Sequence, residues 1–116
     1  MKLAEIKTLL DCEVICGGDQ LQQEISECFA ADLMSDVLAF GRSDALLITG
    51  LTGIQSVHTT HLADLKAILF VHSKRPAQPV LDLAREKGIP VLSTPHQMFD
   101  ACGILFTNGL RGGGRP

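Results

Sequence analysis

The sequence predicts an α/β fold, a three-layer sandwich in which a mainly parallel sheet lies between layers of helices. Short, wholly apolar segments of strand length recur at 45–48, 67–71 and 90–92, and a segment of helical pattern follows each of them. Strands without a polar face are typical of parallel sheets, because helices cover both of their faces. The length of 116 residues fits a single domain.

The N-terminal part is predicted to contain one helix and two short strands. Apolar residues recur at helical spacing over 2–10, which predicts an amphipathic helix. The segment 12–16 has the pattern of a short strand, a glycine-containing turn follows at 17–19, and a second strand is expected at 25–30. Because Cys12 and Cys16 would share one face of the first strand, we expect both thiols to pack together in the core.

A second helix is expected to end near residue 40, with Asp32 or Ser35 as its N-cap. Its predicted apolar face consists of Leu33, Met34, Val37 and Leu38. The central strand 45–48 follows, and it leads through a glycine-containing turn at 49–53 into a helix over 54–63.

The same pattern continues to the end of the chain. The strand 67–71 precedes a helix that ends at Gly88, and the short strand 90–92 precedes a last helix. Thr94 is expected to cap that helix with Pro95 at its first position, where the missing N–H has no partner to lose. Residues 111–116 have few side chains that could pack, so we predict a domain over 1–110 and a disordered tail.

Composition and charge disfavour several classes of protein. The net charge of −3 and the scattered basic residues argue against nucleic-acid binding, which needs a clustered positive patch. No apolar run is long enough to cross a membrane. The first residues do not resemble a signal peptide, and four cysteines without an export signal indicate reduced thiols. We therefore expect a cytoplasmic protein.

Polar residues follow the three central strands, and we expect them to line a ligand crevice. In an open parallel sheet, ligands bind beyond the carboxyl ends of the strands. A small anion could bind there, although short polar residues are also what ordinary turns use. The candidate residues are Thr49, Gly50, His72, Ser73, Ser93 and Thr94, with Asp32 and Asp36 at the rim.

Catalytic and metal-binding patterns are weak. The turn at 49–53 is neither a Lys-containing phosphate loop nor a dinucleotide fingerprint, and no nucleophile elbow occurs. His58 and His61 could share a helix face, but no third metal ligand stands near them at a typical spacing. We expect no enzyme and no cofactor, and an enzyme using a cysteine or the histidine pair with a metal is the least favoured alternative.

Several segments resemble the DRTGG domain family in order and spacing over about residues 2–108. They are a helix followed by EVICGG at 13–18, ADLMSDVLA at 31–39, DALLITG at 44–50, AILF at 67–70 and GIPVLSTP at 88–95. The five residues Asp-Arg-Thr-Gly-Gly themselves do not occur, and the segment 49–53 stands where the family has its turn after the central strand. The resemblance implies a fold similar to the N-terminal domain of HPr kinase.

The resemblance also implies a function. The family consists of accessory domains that are associated with regulation, dimerisation and, beside CBS modules, adenine-nucleotide binding. It therefore implies a non-catalytic regulatory or ligand-sensing domain, a homodimer that binds an adenine nucleotide or another small anion and acts on a partner enzyme. The alternative is a protein–protein adaptor without a ligand, associated with a redox enzyme such as an iron hydrogenase or with its maturation.

Overall fold

A computed structural model describes residues 1–113, which form five α-helices and six β-strands. The helices are α1 (Leu3–Leu9), α2 (Met34–Phe40), α3 (Ile54–Leu62), α4 (Gln78–Glu86) and α5 (Met98–Thr107). The strands are β1 (Glu13–Cys16), β2 (Glu27–Ala30), β3 (Ala45–Thr49), β4 (Ala67–Phe70), β5 (Val91–Ser93) and β6 (Arg111–Gly112). None of the helices within residues 1–113 is long and apolar enough to cross a membrane.

All six strands belong to one sheet, in the order β1-β5-β4-β3-β2-β6. The strands β2 to β6 are parallel to their neighbours, and β1 alone runs antiparallel, beside β5. The prediction of a mainly parallel sheet in an α/β fold is therefore confirmed. The parallel strands are joined by helices, as the pairing of parallel neighbours requires.

Helices cover both faces of this sheet. On one face, α1 and α5 pack over a core that contains Leu46 of β3 and Leu69 of β4. On the other face, α2, α3 and α4 lie side by side over Leu47 and Phe70. Successive residues of β3 and β4 thus point to opposite cores, and all of these side chains are fully buried. Burying a side chain of this size stabilises the fold by about 1.5–3 kcal/mol.

The course of the chain brings four strand ends to one edge of the sheet. From β2 to β5 each strand pairs with the next one, and α2, α3 and α4 make the three connections. The helix α5 then crosses the opposite face and returns the chain to β6 beside β2. The carboxyl ends of β2, β3, β4 and β5 therefore lie at a common edge, which positions the predicted crevice residues.

The expectation that Cys12 and Cys16 share a face is wrong. Cys12 precedes β1 and packs in the core under α1 and α5, whereas Cys16 packs in the core on the opposite face. The register of β1 against β5 shifts between Val14 and Cys16, and this irregularity changes the alternation of side chains. Both thiols are nevertheless buried, as expected.

The predicted caps of two helices are also wrong. The N-cap of α2 is Leu33, in extended conformation and without a side-chain hydrogen bond, and Asp32 has other partners. Likewise α5 begins at Met98 with Gln97 as N-cap, and Thr94 lies before it. Leu33 is 60% and Leu38 51% exposed, so Val37 is the fully buried member of the predicted apolar face.

The C-terminal segment differs in part from the predicted tail. Arg111 and Gly112 form β6, because their backbone pairs in parallel with Glu27 and Cys28 of β2. The amide of Gly113 continues this pairing by donating to the carbonyl of Cys28 at 2.7 Å. The rest of the predicted tail, residues 114–116, lies outside the described residues.

Candidate functional site

The polar residues predicted to meet at the strand ends do lie along one edge of the sheet. Thr49 at the end of β3 is in register with Phe70 of β4, which is in register with Ser93 of β5. The segment 72–74 follows β4 after one residue, Val71, so it lies between the ends of β3 and β5. The sheet thus places six of the predicted residues along its carboxyl edge, in three neighbouring pairs.

Asp32 connects the end of β2 to the end of β3. Its Oδ1 accepts a hydrogen bond from Thr49 Oγ1 at 2.9 Å and another from the backbone N–H of Gly50 at 2.8 Å. The Thr49 hydroxyl in turn accepts from the N–H of Leu51 at 3.1 Å. Because Asp32 Oδ1 holds the turn after β3, this carboxylate is a part of the strand-end edge and not a helix cap.

Lys74 is a charged residue of this edge that sequence reasoning missed. Its Nζ donates to the carbonyl oxygen of Gly50 at 3.1 Å, and its side chain is exposed. A Cβ built on Gly50 would lie 3.2 Å from Lys74 Nζ and 3.7 Å from Asp32 Oδ1. An ammonium and a carboxylate therefore flank the backbone of Gly50, and a side chain at this position would be tight against the ammonium.

His72 and Ser73 form a turn in an unusual backbone conformation. Their φ angles are 58° and 54°, in the left-handed region that residues with a Cβ rarely adopt. Their amides are held in place, since the His72 N–H donates to the His96 carbonyl at 2.9 Å and the Ser73 N–H donates to the Thr94 carbonyl at 2.8 Å. Strained backbone of this kind is concentrated at functional sites. Both side chains are exposed at the edge.

Ser93 and Thr94 are buried, and their hydroxyls are used within the protein. Ser93 Oγ donates to the carbonyl of Lys74 at 2.8 Å and so supports the turn that carries the ammonium. Thr94 Oγ1 donates to the carbonyl of Leu10 at 2.6 Å and accepts from the N–H of His96 at 3.3 Å. Ser93 and Thr94 thus stabilise the backbone of this edge from inside the fold. The groups that are exposed to solvent belong to neighbouring residues.

Asp36 lies apart from this hydrogen-bond network. It is half-buried in the first turn of α2, and its carboxylate has no hydrogen bond or ion pair within residues 1–113. Further along the edge, Arg75 forms an ion pair with Glu13, which is in register with Ser93. Charges of both signs therefore border the strand ends.

The cysteines offer no reactive thiolate at neutral pH. Burial raises the pKa of all four thiols, to about 12 for Cys12 and Cys28. Cys28 and Cys102 line an apolar cavity of about 210 Å³ under α5. Thiols that stay protonated behave as small apolar side chains, so Cys28 and Cys102 belong to the apolar part of this lining.

The two histidines of α3 do not belong to a cluster of metal ligands. His58 and His61 are both exposed, and residues 1–113 contain no group of three or more His, Cys, Asp or Glu side chains arranged to hold a metal ion.

Comparison with known proteins identifies the family of this chain and a solved structure with a similar fold. The family model described as the DRTGG domain matches residues 5–107. A solved structure, that of the CBS and DRTGG domains of the regulatory region of Clostridium perfringens pyrophosphatase complexed with the activator diadenosine tetraphosphate, is similar with a TM-score of 0.75 and 17% identity. The match covers 90% of this chain and 45% of that one, so this chain spans less than half of that structure. No curated protein sequence matches the chain.

Proposed function

The chain belongs to the DRTGG domain family, and on this premise we propose that it is a regulatory domain that senses an adenine nucleotide at the carboxyl edge of its sheet. The observation that carries the proposal is the pairing of Lys74 and Asp32 around the backbone of Gly50. A cation and a carboxylate beside an open turn suit the two polar parts of a nucleotide, its phosphates and its ribose.

Lys74 is suited to the phosphate. An ammonium has three donors, and one of them is occupied by the carbonyl of Gly50. Within the part of the chain that the structure describes, no carboxylate lies within ion-pair distance of the Lys74 ammonium, so its remaining donors can bind a ligand. The turn that ends at Gly53 leads into α3, whose N-cap has no side-chain hydrogen bond, and the amides of that first turn together with the helix dipole favour an anion.

Asp32 is suited to the ribose. Its Oδ1 accepts both protein hydrogen bonds, and Oδ2 has no hydrogen-bond partner among residues 1–113. A carboxylate oxygen that accepts from a ribose hydroxyl is the usual arrangement at the switch point of nucleotide-binding sheets. The exposed side chains of His72 and Ser73 would border the same ligand, and Thr49, Ser93 and Thr94 would position these groups.

The role proposed for this edge is binding without catalysis. The buried hydroxyls of Ser93 and Thr94 donate to backbone carbonyls, so they are not poised as nucleophiles. The pyrophosphatase region that shares the fold is a regulatory region complexed with a dinucleotide activator. This supports the choice of adenine dinucleotides as ligands and of a partner enzyme as the target of regulation.

Calorimetric titration tests the proposal. Adenine mononucleotides and dinucleotides are titrated into the wild-type protein, and we expect saturable binding of at least one of them. Lys74→Met removes the charge and keeps the aliphatic stem, so we expect at least tenfold weaker binding, about 1.4 kcal/mol. Lys2→Met, on an exposed lysine that bonds Gln22 elsewhere, is the matched control and should bind as the wild type does. If none of the nucleotides bound to the wild-type protein, the proposal would be refuted.

A specific surface supports a second role, contact with another protein. Phe99 and Phe106 of α5 are 79% and 59% exposed, and their spacing of two helical turns places them on one face with Gly103 between them. Exposed aromatic side chains on one helix face are typical of interaction surfaces. We propose that a second copy of the chain covers this face in a homodimer.

Light scattering over a range of concentrations tests this role. The double substitution Phe99→Ser and Phe106→Ser should turn the dimer into a monomer while the circular dichroism of the fold is kept. Leu62→Ser, on an equally exposed side chain of α3, is the control that should leave the dimer intact. A wild-type monomer would contradict the dimer, and a dimer that still exposes these rings would favour the adaptor.

A further inference from the structure

A polar cavity of about 260 Å³ lies at the edge of the sheet opposite to the strand ends. Its lining comes from segments that precede three strands, with Asp44 before β3, Lys66 before β4, and Lys87 before β5. The cavity shares no residue with the edge formed by Asp32, Gly50 and Lys74. It is smaller than the roughly 300–1,000 Å³ of pockets for drug-sized molecules, which limits its occupant to a small one.

The cavity lining contains a hydroxyl, that of Thr60, without a partner among the protein's own groups. Thr60 lies on α3, lines this cavity and is fully buried, and its Oγ1 has no hydrogen-bond partner within residues 1–113. Buried hydroxyls nearly always have partners, because an unpartnered one is destabilising. Ser56, equally buried one turn earlier on the same helix, follows that rule by donating to the carbonyl of Gly53 at 2.8 Å.

The charges of the cavity indicate which kind of molecule would fit. Lys66 and Asp44 form an ion pair with each other at 3.4 Å. Asp64 and Lys87 also line the cavity, and neither has an ion pair in the described part of the chain. The unpaired carboxylate and ammonium are therefore one of each sign, and His61 is the remaining titratable group of the lining. A simple anion or cation would match one of them and be repelled by the other, whereas a zwitterion matches both.

The end of one helix adds to this preference. The helix α3 ends at this edge at its C-cap Ala63, whereas the end of α4 already has the positive charge of its own C-cap residue, Lys87. The carbonyl ends of helices carry partial negative charge, which favours an ammonium group. Asp64 directly follows the C-cap of α3, so the negative side of the cavity lies where that helix ends.

We propose that this cavity binds a small zwitterion of the α-amino acid class, with its ammonium at Asp64, its carboxylate at Lys87 and a polar atom on Thr60 Oγ1. The domain then has two ligand sites at opposite edges of one sheet, and the second takes a different class of molecule from the nucleotide proposed for the first.

Thermal unfolding with each of the standard amino acids tests the proposal. The same measurement is made with the N-acetyl and the amide derivative of each, which lack the ammonium and the carboxylate. At about ten times its Kd, a binding amino acid should raise the melting temperature by about 4–8 °C, and both of its derivatives should have no effect. No shift with any amino acid, or equal shifts with the blocked derivatives, would overturn the proposal.

The variant Thr60→Val tests whether the unpartnered hydroxyl belongs to a ligand site or is only a packing defect. The substitution keeps the shape and removes the unpartnered hydroxyl, so the ligand-free protein should melt a few degrees higher while affinity for the amino acid falls at least tenfold. Thr59→Val, on a nearly buried neighbour in α3 that does not line the cavity, should keep the affinity. A Thr60→Val protein that binds like the wild type would overturn the role of the hydroxyl and with it the proposal.

Charge-neutralising variants distinguish this site from the nucleotide site. Lys87→Met and Asp64→Asn should each weaken amino-acid binding at least tenfold, and asparagine tolerates the left-handed φ of 58° at position 64. Lys74→Met should leave amino-acid binding unchanged, whatever it does to nucleotides. Unchanged amino-acid binding by both Lys87→Met and Asp64→Asn would contradict the proposal, even if nucleotide binding at the other edge is confirmed.

Discussion

At the scale of single residues, Asp32 has the most consequences for the candidate site. One of its carboxylate oxygens accepts hydrogen bonds from Thr49 and from the backbone of Gly50, seventeen and eighteen residues further along the chain. The carboxylate therefore ties the loop after β2 to the turn after β3. Any ligand at this edge would contact a turn whose shape depends on that one side chain.

We expect Asp32→Ala to lower the free energy of unfolding by about 1–2 kcal/mol, because Thr49 and Gly50 lose their acceptor. Urea denaturation followed by circular dichroism measures the loss. Asp36→Ala, which removes a carboxylate without a hydrogen bond from the same region, is the matched control and should change stability by less than about 0.5 kcal/mol. Equal stabilities of the two variants would contradict the role of Asp32.

Because burial raises the pKa of the thiols, we predict that the free energy of unfolding falls at alkaline pH. Burial raises the pKa of Cys12 and of Cys28 from 9.0 to about 12 in the folded protein. Above pH 9 the unfolded chain releases these protons while the folded one keeps them, so the stability that is fully present below pH 9 falls as the pH rises toward 12.

Urea denaturation at a series of pH values between 8 and 11 checks this prediction. The double variant Cys12→Ala and Cys28→Ala should show a clearly shallower decline than the wild type, although its stability at neutral pH is lower because two core side chains become smaller. The same alkaline decline in both proteins would mean that these thiols do not titrate as buried groups.

At the scale of elements, the helices differ in how much of their surface is buried. Leu105 of α5 is 1% exposed and packs on the sheet, whereas Leu38 of α2 is 51% exposed. The apolar side chains of α2 are thus only partly buried in the core. Helical pattern alone predicted an apolar face there, but it could not indicate that the helix begins at Met34 and leaves Leu33 outside.

These two leucines give a matched test of the layer arrangement. We expect Leu105→Ala to destabilise the protein by about 2–5 kcal/mol, because it opens a cavity between α5 and the sheet. Leu38→Ala, the same substitution in another helix, should change stability by less than about 1 kcal/mol. The comparison is made by urea denaturation, and a reversed order would contradict the packing of α5.

At the scale of the whole molecule, the order of apolar strands and amphipathic helices was sufficient to predict the α/β class and the parallel sheet. The same order predicted that Thr49, His72 and Ser93 follow three neighbouring strands, since carboxyl ends of parallel strands share an edge. The unbroken apolar segments of β3 and β4 carried this prediction, because each buries side chains on both faces.

The sequence could not predict which polar groups of that edge remain open to solvent. The hydroxyl of Thr94 bonds the carbonyl of Leu10, and Lys74 bonds that of Gly50, and both contacts join distant parts of the chain. Such contacts exist only once the layers are assembled. The face change between Cys12 and Cys16 was missed for a related reason, since a register shift in an edge strand leaves no local signal.

The central claim is that a nucleotide binds at the carboxyl edge of the sheet, and amide chemical-shift mapping of isotope-labelled protein tests it most directly. During titration with diadenosine tetraphosphate, we expect the largest shifts at Gly50, Ser73 and Lys74, with little change at Thr60 and Lys87 on the opposite edge. Shifts confined to other surfaces, or none at saturating ligand, would contradict the claim.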